Sequence, residues 1–269
     1  MQSSTLQWAE AVDSRTNEYV RRWMRHFPLL RATAIESWYE ALEPASLPTL
    51  LRPLAREQRD LLIDEHWRRV VERPSRPPAA FDELILELEE LVVAAQARSP
   101  VGASFVRLGF RAPTDSPTAG RGRLQVDGGP EALEVLLESA RVFDDLCLAQ
   151  ECGYTPSLVV RPWLELTRGH ELRGFVRGRR LVGLSQRLLD APQPELIERG
   201  PELEALVRRR AAELAPRWPL DDLVVDFAVL DGQAWIVDLA PWLPWTDPAL
   251  FSWGDDEPGE YSFRYLLPP

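Results

Sequence analysis

The stretch "LVVDFAVLDGQAWIVDLAP" (223–241) is two apolar runs joined by the turn signal Asp231-Gly232-Gln233. Each run carries one carboxylate, Asp226 in the first and Asp238 in the second. A bare carboxylate inside a sheet is destabilising unless it meets a cation or hydrogen-bond donors. Two readings follow. Both aspartates lie on a solvated face of a half-exposed hairpin, or they form a divalent-metal site, since Mg²⁺ is held by one or two carboxylates plus substrate phosphates. Register separates the two. With a two-residue turn at Asp231-Gly232, Leu230 faces Gln233, Asp226 falls opposite Val237, and the aspartates point to opposite faces. A three-residue loop or a bulge sets Asp226 across from Asp238, with Ala228 and Ala240 leaving room beside them.

Working outward, the 269 residues suit one large domain or two smaller ones, and an apolar share of 45% is that of a globular protein. The polar, amphipathic start and the lack of any 18-residue apolar run set the expectation of a soluble cytoplasmic protein with no membrane partner. A net charge of −11 argues against nucleic acid and anionic membranes as partners. Cys147 and Cys152 lack CxxC spacing and read as free thiols, and three scattered histidines offer no zinc cluster. All 31 basic residues are arginine and asparagine occurs once, a coding bias of GC-rich, bacterial type.

Helical periodicity fills the first hundred residues: 7–27, 37–44, 54–70 and, after the proline-rich connector 72–81, a helix over 81–98 with Leu84, Leu86, Leu88, Leu91 and Val92 inward. From 101 on the pattern changes. A strand at 102–110 precedes a long loop (111–123), a helix (129–149), a strand (156–166), a hairpin turning near Gly178 (170–187), a helix (194–214) with a break expected at Gly200-Pro201, and the aspartate hairpin. This predicts an α+β protein: a mainly helical region over 1–100, then a core of mostly antiparallel sheet over 101–269.

Four strand-borne groups join the aspartates as candidates. Glu171 and Arg173 in "HELRGF" share a strand face, as a surface pair or as an acid for a ribose and a guanidinium for a phosphate. Arg161 ends an apolar strand just before Pro162, where a free edge can offer backbone groups to a base. Arg107 sits in a strand before the long loop, either snorkelling or reaching phosphate. This is the inventory of a Mg-nucleotide site, although no GxxxxGK[ST] or GxGxxG loop is present.

The segments "VRLGFRAPTDS" (106–116), "LVVRPWLELTRGHELRGFVRGRRLVGLSQR" (158–187) and "DFAVLDGQAWIVDLAPWLPWTDPALFSW" (226–253), with a weaker match at Trp38-Tyr39, resemble the cell division cycle protein 123 family, which has an ATP-grasp fold. The resemblance spans nearly the whole chain. It implies an ATP·Mg²⁺ site between two sheets: Arg107 at the phosphates in place of the family's lysine, Arg161, Pro162, Trp163 and Leu164 as the hinge against adenine, Glu171 on the ribose side, Arg173 toward the phosphates, and Asp226 and Asp238 as metal ligands, with Arg173 and Asp238 as the catalytic pair. It also favours the register that puts both aspartates on one face.

Three positions depart from the family pattern. Ala240 stands where the family has a metal-ligating asparagine, Glu138 replaces a lysine, and Gly109-Phe110 replace Asn-Trp. The function implied is an ATP-grasp ligase that activates a carboxylate and joins it to a small-molecule or peptide acceptor. The alternative is an ATP-dependent assembly factor with a protein client, as the eukaryotic family members are for translation initiation factor 2. A third is a fold that has lost its nucleotide. Trp242, Trp245 and Trp253 read first as packing at the domain edge and second as a docking patch.

Overall fold

The computed structural model describes residues 18–72, 78–118 and 124–268. Residues 18–24 are helical, 25–26 form a turn and Phe27 begins the next helix, Phe27–Ala32; the rest of the helix expected over 7–27 lies outside the described residues. The chain divides into two compact units, Met1–Pro28 with Thr49–Leu164, and Leu29–Pro48 with Glu165–Pro269. The division does not fall near residue 100, because the strand Leu50–Pro53 pairs with Ser157–Pro162 and so joins the two sides of that position.

In the first unit β1 (Leu50–Pro53), β2 (Ser104–Leu108), β3 (Gln125–Val126) and β4 (Ser157–Pro162) form an antiparallel sheet in the order β1-β4-β2-β3. Strand β1 lies in the region whose pattern reads as helical. It is four residues long and flanked by prolines, and pairing with β4 rather than its own periodicity defines it. The helix Asp82–Gln96 buries Leu84, Leu88, Leu91, Val92 and Ala95, spaced three and four apart. Leu86 is 67% exposed, since it lies roughly half a turn off that stripe. The helix expected over 129–149 is two helices, Gly129–Glu138 and Ala140–Glu151, split at Ser139, whose hydroxyl accepts from the Val142 N–H and caps the second.

The second unit is built on a five-stranded sheet in the order β8-β7-β5-β6-β9, from β5 (Glu171–Arg177), β6 (Arg180–Gln186), β7 (Leu223–Leu230), β8 (Gln233–Pro241) and β9 (Phe263–Arg264). All neighbours are antiparallel except β6 and β9. The β5–β6 turn uses Gly178 and Arg179 at φ 53° and 63°, where the sequence places it. The helix Pro194–Leu214 packs on β6, β7 and β8 through Leu196, Leu203, Val207, Ala211 and Leu214. It passes through Gly200-Pro201 unbroken, its buried Gly200 facing the rings of Phe263 and Tyr265.

The opposite face of the sheet is divided. Toward one end Phe175, Val224 and Phe251 form an apolar cluster, with Trp242 and Trp253 packed against it. The rings meet edge to face, Phe175–Phe251 at 5.0 Å and Trp242–Trp253 at 5.4 Å. The tryptophan-rich tail is therefore packing for this sheet, with Trp245 the most open of the three at 37%. Toward the other end the same face carries the charged residues described below.

The aspartate hairpin combines both expected devices. Its turn is the two-residue one: Leu230 faces Gln233, with Asp231 and Gly232 at φ 50° and 71°. The register then shifts between Asp226 and Phe227. Phe227 faces Ile236, and Asp226 faces Asp238. Val237 is the extra residue of a β-bulge, and it restores the parity that the turn alone would break. A Cβ at Gly232 would meet nothing within 4 Å, so Gly232→Ala isolates the backbone cost of a positive φ. It is expected to lose about 1–2 kcal/mol in a denaturant titration, with no change in what the aspartates bind.

Candidate functional site

Four strands place four side chains in a row on one face of the second unit. Ser185 pairs with Arg173, Arg173 with Asp226, and Asp226 with Asp238. In the next row the Arg187 N–H donates to the Glu171 carbonyl, and Glu171 pairs with Ala228. Strand alternation puts Glu171 beside Arg173 on this face, as their spacing predicts. Thus Glu171, Arg173, Asp226 and Asp238 come together.

Arg173 is the centre. Its side chain is 6% exposed, and its guanidinium forks onto Asp226, Nε to Oδ1 at 2.7 Å and Nη2 to Oδ2 at 2.8 Å. Its Nη1 donates to the Asp247 carbonyl at 2.8 Å. Burial alone would lower the Arg173 pKa, but the Asp226 charge and hydrogen bonds raise it above the ordinary value. Burial would likewise raise Asp226, yet Arg173 and then Arg187 hold it below the ordinary carboxylate range. The Arg187 Nε reaches Asp226 Oδ2 at 3.2 Å, and its Nη1 reaches Asp247 Oδ2 at 3.2 Å.

Glu171 behaves oppositely. Burial pushes its pKa up, and the nearby Asp226 charge adds to the rise. Its raised folded-state pKa favours the folded protein below the unfolded value of about 4.3, and that contribution is lost as pH rises through the folded value. Glu171→Gln should therefore melt higher than the parent at pH 7, with the gain shrinking as pH falls and gone well below the unfolded value, where the parent is protonated in both states. Thermal melts across that range check it.

Asp238 is half-buried, and its Oδ1 accepts from the Leu239 N–H at 3.1 Å. Does this set suit Mg²⁺? Two adjacent carboxylates meet the usual protein share of such a site, the rest being water and phosphate. Asp226 Oδ1 accepts one described hydrogen bond and retains a lone pair. The third position is Ala240, which has no side-chain oxygen, and no cluster of three His, Cys, Asp or Glu suited to a metal occurs among the described residues. The donors fit a hydrated ion shared with phosphates and do not make a closed protein cage.

The other predicted residues lie in the first unit. Arg107 and Arg161 share one face of the β2–β4 pair, with Phe105 opposite Arg161 and Arg107 opposite Val159. Both are buried. Arg107 donates from Nε to the Leu108 carbonyl and from Nη2 to the Phe110 carbonyl, each at 2.9 Å. Arg161 Nε donates to Thr49 Oγ1 at 2.9 Å. Pro162 closes β4 opposite Ser104. The Trp163 N–H donates to the Ala103 carbonyl and its own carbonyl accepts from Ser99 Oγ, so this backbone is engaged rather than open, and Leu164 is the next residue along. Glu138 accepts from Ser116 Oγ and the Thr118 N–H, tying down the loop after β2; those bonds outweigh burial and lower its pKa. In place of a cation it supplies a loop anchor.

Sequence reasoning assigned no role to Arg187 or Asp247. Arg187 closes the "LVGLSQR" segment and Asp247 stands in "WTDPALFSW", so both were within recognised stretches. The signal available was that each is a charge directly beside a predicted core element.

Comparison with known proteins follows the same lines. The chain is 28% identical over 203 residues to a translation initiation factor eIF2 assembly protein of Sclerotinia sclerotiorum, covering 70% of this chain and 48% of that one. It is 32% identical over 111 residues to the protein of the same name in Xenopus laevis, covering 38% and 33%. The chain thus spans about half or less of the length of these curated relatives. Its fold is that of Cdc123 from Schizosaccharomyces pombe, with a TM-score of 0.70 at 21% identity over 90% of this chain and 98% of the other. No helix among the described residues is long and apolar enough to cross a membrane. The D123 family model matches residues 58–262, a span that contains β2 through β8 and every residue of the charged row, and the chain belongs to that family.

Proposed function

We propose that this protein binds ATP·Mg²⁺ on the charged face of its second unit and uses it to hold a protein client during assembly of a complex. The bulge at Val237 carries the reading: it breaks hairpin regularity to set Asp226 and Asp238 side by side, next to a buried arginine. On this reading Asp238 and the open lone pair of Asp226 hold the ion, which when bound neutralises charge on the phosphates. Arg173, fixed by Asp226 and the Asp247 carbonyl, presents a preoriented guanidinium to a phosphoryl group. Glu171 faces the ribose. By the family resemblance, Arg107 and the Arg161–Leu164 segment are the first unit's own candidates for nucleotide contact. The names of the relatives support the assembly role, and the missing third oxygen at Ala240 favours binding over rapid turnover.

Ligation of a carboxylate to an amine is the second reading. One observation favours it: Glu171, with its pKa raised, is a carboxylate poised to take a proton from an incoming nucleophile nearer neutral pH. Calorimetric titration with ATP, with and without Mg²⁺, tests the shared part. Mg²⁺-dependent binding at micromolar strength is expected, and silence at millimolar ATP would sink it. Steady ADP release by the bound protein would shift the conclusion to the ligase.

A further inference from the structure

The segment after β8 lies along the charged row, held by three bonds of different kinds. The Asp247 carbonyl accepts from the buried Arg173 at 2.8 Å. The Leu250 N–H donates to Ser185 Oγ at 3.2 Å, which fixes the segment further along. The third is the Asp247 carboxylate. Its Oδ2 bridges Arg173 Nη1 and Arg187 Nη1, each at 3.2 Å, while Oδ1 accepts from the Ala249 N–H at 3.0 Å. The first two bonds involve backbone or a fully buried side chain. The third is the open one: the Asp247 side chain is 53% exposed and that of Arg187 32%. An exposed pair such as Asp247 with Arg187 holds weakly.

We infer that the Asp247 carboxylate is a built-in anion standing where a phosphate of the bound nucleotide goes, and that binding proceeds by its displacement from Arg187. This rests on the nucleotide reading above and adds an occupant that the ligand must replace. Several features support it. Arg187 is the least buried cation of the row, and its Nε already rests on Asp226 Oδ2, so its position survives loss of Asp247. Arg173 keeps the segment in place through the carbonyl, so the carboxylate can leave with the backbone still anchored, giving up its Ala249 N–H contact as it turns. A carboxylate and a phosphate present the same oxygen pair to a guanidinium, and the phosphate, with more charge, wins. Without a nucleotide, Asp247 satisfies two arginines that would otherwise repel each other. The consequence is a lowered affinity for ATP, because each binding event first breaks the Asp247 contacts.

The variant that isolates this is Asp247→Asn. Asparagine keeps the oxygen that accepts from Ala249, whose φ of 51° depends on a stable turn, and puts an uncharged amide NH2, a donor, where Oδ2 met the two arginines. Asp255→Asn, at an exposed carboxylate of the same tail, makes the same change in net charge and serves as the control. Calorimetric titration of each with ATP·Mg²⁺ is expected to give a Kd about three- to tenfold lower for Asp247→Asn than for the parent, with Asp255→Asn within about twofold of the parent. An unchanged or weaker affinity in Asp247→Asn overturns the inference while leaving the nucleotide reading intact, as does an equal gain in Asp255→Asn. No binding to any of the three proteins overturns the nucleotide reading itself, and this inference with it.

Discussion

Asp226→Ala should lower stability by about 3–5 kcal/mol, because it strips the 6%-exposed Arg173 of the carboxylate that forks onto it and leaves it the half-exposed Asp247 contact. In a thermal melt that is a fall of roughly 6–20 °C, at about 2–4 °C per kcal/mol for a protein of this size. The loss is a penalty for stranding a cation, not the worth of the pair. Replacing both partners with apolar residues, Asp226→Leu with Arg173→Met, should therefore recover most of it, and a double variant as unstable as Asp226→Ala would refute the account. The pH dependence has a definite sign. The Asp226 pKa is depressed on folding, so its contribution is present above the unfolded value of about 3.9 and disappears as pH falls through the folded one. The difference between parent and Asp226→Ala should shrink below pH 4.

Asp238→Ala should do the reverse: little change in melting temperature, and a loss of ATP·Mg²⁺ affinity of at least about 100-fold. Even outer partners of metal ligands cost 10–100-fold on removal, and a direct ligand should cost no less. The side chain is half-buried, and the buried Arg173 keeps its two-bond fork on Asp226 when Asp238 is removed. Calorimetry with and without Mg²⁺ reads the outcome. The parent should bind more tightly with the ion, and the variant should bind equally weakly in both. An Asp238→Ala protein that keeps Mg²⁺-dependent binding would remove the carboxylate pair from the site. On the proposed reading, two aspartates alike in sequence divide their roles: Asp226 is committed to the protein's own arginine, and Asp238 is left for a ligand.

That division explains what was legible in the chain and what was not. Asp231-Gly232 announced its turn because few dipeptides tolerate two positive φ values, and the two carboxylates stood out because apolar strands exclude them. The bulge had no such mark. Val237 is one apolar residue among others, and only the pairing of β7 with β8 shows that it is the extra one. The Arg173–Asp226 fork was hidden for a related reason, since the two residues are far apart in sequence and meet through the register of β5 on β7. The helix break at Ser139 escaped because a serine cap leaves no glycine or proline behind it, whereas Gly200-Pro201 advertised a break that packing on the sheet overrides. Strands β1, β3 and β9 are too short to show alternation, and exist because a neighbour offers them an edge.

The bulge has one more consequence. Because parity is corrected at Val237, between the tip of the hairpin and the aspartates, the two regions are geometrically independent. The tip beyond Leu230 and Gln233 can lengthen, shorten or accept a foreign peptide, as in a loop graft or an affinity tag, without turning either aspartate to the other face. A single-codon deletion at Val237 would remove the extra residue and leave Asp238 opposite Asp226 in an unbulged ladder, so the pairing of the aspartates survives it and the local twist of the strand changes instead.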